Sequence, residues 1–247
     1  EMAVALTRVR LLLGGDNYAE ALPILQALYA RHPKHPYILS LLERTYRNLQ
    51  QWDQLEKLLA DLRANKVMDV EGLYQLEVLI RGAQLRQLAN NLDADMAKNK
   101  QALSDLWGRM AKNVRTAPVV VANHAELLVQ VGESALAEKE LRKAIKSTWD
   151  KHLLATYSQL EGDTAQRLKI AEGWLKEQPN NAALLLSLAR LCKRSELWGK
   201  ARDYLEAALK LESRPETYAE LAEVLGRLGE REKSLQFYRQ GLLEVTA

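Results

Sequence analysis

The sequence predicts an all-α fold, a right-handed superhelical solenoid of about seven stacked helix pairs. Three observations predict it. The chain repeats itself: Tyr18 returns as Trp52, Ala21 as Leu55 and Leu25 as Leu59, each 34 residues on. Towards the other end Leu185 returns as Tyr218, Leu188 as Leu221, Leu205 as Tyr238 and Ala208 as Gly241, each 33 on. A helical period of that length marks units that cannot bury their apolar faces alone and stack to do so. Within a unit, apolar residues recur three and four apart, as one buried helix face requires. Leu184, Leu185, Leu188, Leu191 and Cys192 followed by Trp198, Ala201, Leu205, Ala208 and Leu209 show it best. Leu and Ala, both good helix formers, dominate the composition.

The first pair is expected from about Met2 to Ala30, with GGDNY (Gly14 to Tyr18) as its inner turn. The second starts after HPKHP, where Pro36 suits a helix's first turn, turns at Gln50 to Asp53 and ends near Asn65. A third, irregular pair follows, its second helix read as DADMAKNKQALSDLWGRMAKNV, and it takes roughly 50 residues where its neighbours take 30 to 34. The fourth opens at Pro118 and turns at Val131 to Glu133. The fifth has a short first helix, Lys151 to Leu160, and turns at Glu161 to Asp163. The sixth turns around Ser195 to Trp198, and the seventh opens at Pro215 and turns at Leu228 to Glu230. The reading divides the chain into residues 1–68, an irregular hairpin at 69–117 and a second run of repeats at 118–247, in one continuous solenoid.

Composition narrows the function. Hydrophobic residues make up 47% and charged residues 27%, which suits a folded chain. The net charge of +3, with Lys and Arg interleaved among Asp and Glu, argues against a nucleic-acid partner. Cys192 is the single cysteine, so an internal disulfide is excluded and its place on an apolar stripe reads as core. No run approaches the ~18 apolar residues of a membrane helix. A chain opening at Glu1 is expected to be a piece of a longer protein.

No catalytic constellation is visible. Gly14 and Gly15 lack the spacing of a phosphate-binding loop. No Ser sits in a G-x-S-x-G elbow, and H-E-x-x-H is missing. His32 and His35, three apart in a loop, are the candidate heme-ligand pair, against the blander reading of solvated loop histidines. His124 reads as a packing residue. The cations are more informative. In stacked helix pairs the first helix of each pair lines a concave groove. The register then turns Arg10, Arg44 and Arg47, Arg190, Lys193 and Arg194, and Arg227 towards it, with Tyr37 on the same side. A guanidinium fork suits carboxylates, so the groove is expected to take an acidic peptide or another carboxylate-bearing ligand. The bland alternative is a solvated face balanced by Glu43, Glu126, Glu220 and Glu223. Trp52 and Trp198 fall at matching repeat places and read as packing.

The pattern AL-x-x-LAR-x11-AR-x-YLEAAL resembles the tetratricopeptide repeat, although Glu43 takes a small-residue place in the second repeat. The lysine and asparagine pairs of a carboxylate clamp are not reproduced, since Ser40 and Arg44 stand there. Three segments go further: ALTRVRLLL, RHPKHPYILSLLERTYRNLQQWDQL and ESRPETYAELAEVLGRLGEREKSLQFYRQGL. Together they resemble the soluble part of the HemY family, tetratricopeptide proteins encoded with heme-biosynthesis genes in proteobacteria. The resemblance implies two membrane helices upstream, anchorage in the bacterial inner membrane, a cytoplasmic repeat domain and a role late in heme or porphyrin metabolism. It carries no catalytic residues. A flavin-dependent protoporphyrinogen oxidase shares the name, and the dinucleotide fingerprint it needs is missing here. The expected function is a non-catalytic protein-interaction scaffold whose partners are heme-pathway enzymes. The alternatives are heme or porphyrin binding and transfer, with heme as cofactor, or a general peptide-binding module unrelated to heme.

Overall fold

The structure, a computed structural model, describes residues 2–246, with side chains to Glu244. Among the described residues it holds fifteen helices and no strand. The chain divides into two compact units, residues 1–120 and 121–247. The first contains α1 (Met2–Gly14), α2 (Tyr18–Arg31), α3 (Pro36–Asn48), α4 (Trp52–Ala64), α5 (Val70–Asn90), α6 (Met96–Gly108) and α7 (Lys112–Arg115). α8 (Pro118–Gln130) straddles the division. Then follow α9 (Ser134–Thr148), α10 (Lys151–Gln159), α11 (Thr164–Trp174), α12 (Ala182–Arg194), α13 (Trp198–Leu211), α14 (Pro215–Arg227) and α15 (Arg231–Thr246).

One local device builds the regular pairs. Asp16, Gln50, Gly132, Glu196 and Gly229 all adopt positive φ between the two helices of a pair. The next residue's N–H reaches back to a carbonyl five residues earlier: Asn17 to Leu12, Gln51 to Tyr46 and Leu197 to Cys192, each at 2.9 Å. Glu133 to Leu128 and Glu230 to Leu225 repeat the bond. This is the Schellman closure, which satisfies the last carbonyls of one helix and starts the next within two residues. Five pairs share it: α1/α2, α3/α4, α8/α9, α12/α13 and α14/α15. In α10/α11 the positive φ is at Gly162, and α5/α6 are joined by a longer link that ends at Asp95, the N-cap of α6. These are the two pairs whose sequences fit the repeat least.

In the first unit one apolar cluster runs through five helices, from Val9 and Leu13 through Ala21, Leu25, Ile38, Leu42, Leu55 and Leu62 to Leu76 and Ile80. Where α5 lies on α4 (Trp52–Ala64), the packing turns polar. Buried Arg81 donates to Gln84 Oε1 at 2.9 Å and pairs with Glu56 at 2.8 Å, while Gln84 Nε2 reaches Glu56 and Asp53. Burial pushes the Glu56 carboxyl up, but the bonds from Arg81 and Gln84 outweigh it and hold the group below its usual range. The second helix of the irregular pair is shorter than the sequence predicts. It stops at Gly108 instead of running to Val114, and a separate turn, α7, follows. The cause is local: the Arg115 guanidinium donates to the carbonyls of Met110 and Gly108 and sits over the Trp107 ring, capping the end that continuation would have satisfied.

In the second unit the helices approach over small residues, with Ala189, Ala201, Ala208 and Ala222 all buried. Gly241 is required by proximity, because a Cβ there would stand 2.9 Å from the Tyr218 Cβ. Cys192 is a fully buried free thiol, pushed up to about 11 by that burial. The short α10/α11 pair is filled by aromatics: the Tyr157 ring lies 5.0 Å from Trp174, which meets Trp149 edge-on at 6.1 Å.

Candidate functional site

Functional side chains follow from register. Proline or an alanine opens α3 and α12, and the same two helical places then carry cations, Arg44 and Arg47 on α3, Arg190 and Lys193 on α12. Their surroundings differ. Arg44 is exposed; it donates to Tyr18 Oη at 3.3 Å, and its guanidinium lies 5.9 Å from that ring. Arg47 is exposed and pairs within its own helix with Glu43 at 3.3 Å. Glu43 occupies a buried place where Val9, Ala125, Ala189 and Ala222 stand in other pairs. Burial raises its carboxyl above the ordinary value, against the pull of Arg47. Arg10 on α1 is exposed, and so is Tyr37 at the start of α3. Of the loop histidines, His32 is exposed and His35 half-buried, the latter with Nδ1 buried and without a hydrogen-bond partner.

On α12 the cations meet carboxylates from α14. Arg190 Nε donates to Glu220 at 2.6 Å, and Lys193 reaches Glu220 at 3.3 Å and Glu223 at 2.6 Å. Arg194 turns elsewhere: its Nη1 donates to the carbonyls of Ser158 and Leu160 at 2.8 and 2.7 Å and closes the C-terminal end of α10. Arg227 lies 5.6 Å over the Trp198 ring, as Arg44 lies over Tyr18. In both cases the ring is the first residue of a pair's second helix, so the aromatic at that place is a platform for an arginine of the next pair.

Sequence reasoning missed two things. Arg167, nearly fully buried, stands where Ala21, Ala137 and Ala201 stand in regular pairs; Nη1 donates to the Glu161 carbonyl at 3.0 Å, while Nε and Nη2 find no partner. The signal was a charged residue in a small-residue place. It also missed the first turns of α10 and α14, where Lys151, Arg214 and Glu216 line a cleft with Arg190. Among the described residues no group of three or more His, Cys, Asp or Glu could hold a metal ion. No helix among them is long and apolar enough to cross a membrane.

Paired helices joined by Schellman turns, with small residues at the crossings, define a tetratricopeptide-type repeat protein. The fold matches the crystal structure of a tetratricopeptide repeat protein from Parabacteroides merdae ATCC 43184, with a TM-score of 0.53, 13% identity, and coverage of 97% of this chain and 91% of that one. In sequence the chain is similar to Protein HemY of Escherichia coli (strain K12), 25% identical over 242 residues, 97% of this chain. Protein HemY of Shigella flexneri matches to the same extent. The resemblance read from three segments therefore extends over nearly the whole chain, and the relatives are bacterial. The chain spans 59% of the length of these relatives. No model of a known protein family matches it.

Proposed function

We propose that this chain is a non-catalytic interaction scaffold within a longer bacterial protein tethered to the inner membrane, and that it supports a late step of heme or porphyrin biosynthesis by holding pathway enzymes. The repeat fold and the likeness to HemY proteins support the reading. The single observation that carries it is the exposed cationic surface of α1 and α3, where Arg10, Arg44 and Arg47 are all open to solvent, as is Tyr37. Residues 1–120 hold 16 Lys and Arg against 13 Asp and Glu, and residues 121–247 hold 19 against 19. The whole net charge thus belongs to the first unit. Such a face steers an acidic protein partner and fixes its orientation. Tethering then raises the effective concentration of sequential enzymes, so that a hydrophobic intermediate passes between them before it escapes.

The test is capture from membranes carrying the full-length protein. Wild type is expected to recover one or more heme-pathway enzymes, with recovery falling as ionic strength rises towards about 1 M, where the Debye length is only about 3 Å. Arg10→Glu with Arg44→Glu is expected to reduce recovery while leaving the thermal transition near that of wild type, because both side chains are exposed and the bond from Arg44 to Tyr18 lies at the surface. Recovery of no pathway enzyme, or recovery indifferent to both salt and charge reversal, would sink the proposal.

A further inference from the structure

A small cleft in the second unit is lined by the first turns of α10 and α14 and by one side of α12. Lys151, Arg190 and Arg214 point cations at it, Glu216 is its only carboxylate, and Ser187 and Leu186 form part of its lining. The two arginines are prepared in the same way. Each is pinned along one edge by a close carboxylate, Arg190 by Glu220 at 2.6 Å and Arg214 by Glu212 at 2.6 Å. Each then aims another nitrogen at Glu216, Arg190 Nη2 at 3.6 Å and Arg214 Nη1 at 3.5 Å. Those distances lie beyond a good charge-assisted hydrogen bond, which closes at about 2.7–2.9 Å. Glu216 itself is half exposed, so it can swing into water at little cost. The arrangement is two oriented guanidinium forks converging on one carboxylate that fits them loosely. Fixed orientation before binding is what makes a fork effective, since little side-chain freedom is then lost when the ligand arrives.

We infer that this cleft is a carboxylate-binding pocket, with the Glu216 side chain as an internal stand-in that a carboxylate of an acidic peptide partner displaces. The volume, about 170 Å³, is below the ~300 Å³ at which pockets begin to enclose drug-sized ligands. It suits one carboxylate group with its short stem. The inference deepens the scaffold reading by giving the partner a chemical feature, and it rests on that reading only for the partner's being a protein.

The experiment is fluorescence anisotropy of the 247-residue chain with two labelled probes. One is a tetraglutamate peptide with an amidated end, and the other is a neutral peptide with a free C-terminal carboxylate. At least one is expected to bind, and which one does distinguishes a side-chain carboxylate from a chain terminus. Arg214→Gln and Lys151→Gln are each expected to weaken binding, Arg214→Gln by about tenfold. Glu216→Gln is expected to tighten it by about threefold or more, since the competitor is neutralised while the forks remain. Lys151 is exposed, so its variant keeps the test alive if Arg214→Gln disturbs folding. Arg10→Glu with Arg44→Glu should leave probe binding unchanged, which separates failure here from failure of the α1 and α3 face. Binding of neither peptide, binding of inorganic phosphate alone, or a Glu216→Gln chain that binds no better would overturn the assignment.

Discussion

Helices α3 and α12 carry cations at the same two places, yet one helix shows them to solvent and the other neutralises them. The difference lies in the neighbours. α12 is followed two helices on by α14, whose Glu220 and Glu223 meet Arg190 and Lys193. α3 has only its own Glu43 beside Arg47, and that carboxylate sits in a place built for a small residue. A repeat position therefore does not fix an electrostatic role. Identical places become an exposed cationic face or a structural ladder depending on what the adjacent repeat presents.

The largest test of that contrast removes the carboxylate of the ladder. Glu220 is bonded to both Arg190 and Lys193, and all three side chains are less than one-fifth exposed. Glu220→Ala leaves two partly buried cations with weaker company. Removing one partner of a fully buried pair costs 3–5 kcal/mol, and partial solvation here reduces the expected loss to about 2 kcal/mol in denaturant unfolding. A loss near zero would put α12 in the same class as α3.

The second test should have the opposite sign. Glu43 has a folded-state carboxyl raised above its ordinary 4.5 because burial disfavours the charge, with Arg47 pulling the other way. A raised acid favours the folded state only while protonated. Its contribution is complete below the unfolded value and fades as pH rises through the folded one. Glu43→Gln should therefore matter little near pH 4 and stabilise the chain by roughly 1 kcal/mol at pH 7, near the low end of the cost of burying a polar group. Stability curves of the two proteins that run parallel from pH 4 to 7 would show that Glu43 is well solvated or fully compensated.

These two carboxylates also show where sequence reading works. Glu43 could be singled out from the sequence because its neighbours in the repeat are small, so the misfit is visible by alignment within the chain. Glu220 could be seen only as a possible counter-charge, because its partner Arg190 lies 30 residues away and the pairing depends on how one helix seats against another. Helix starts at Pro36, Pro118 and Pro215 were legible for the reason Glu43 was: the chemistry is local. Arg167 was not, although it stands in a small-residue place, because the short pair around it blurs the register. Arg194 read as a groove cation because register alone predicts direction, and the early end of α10 that draws it inward is a tertiary fact.

The smallest effects should be those the two units share. The inner turns at Gln50 and Glu196 take positive φ, 56° and 57°, where the corresponding turns that use glycine take 80° at Gly132 and 84° at Gly229. A side chain in the left-handed region costs roughly 1–2 kcal/mol per residue, and glycine gives part of that back through the greater freedom it adds to the unfolded chain. Gln50→Gly and Glu196→Gly should each stabilise by about 0.5 kcal/mol, and Gly132→Ala should destabilise by about 1 kcal/mol. Equal gains at positions 50 and 196 would mean that the turn is a local device indifferent to the charge surrounding it. A gain at one position alone would mean that the lost side chain had a partner there, and the contrast between α3 and α12 would then extend into the turns that follow them.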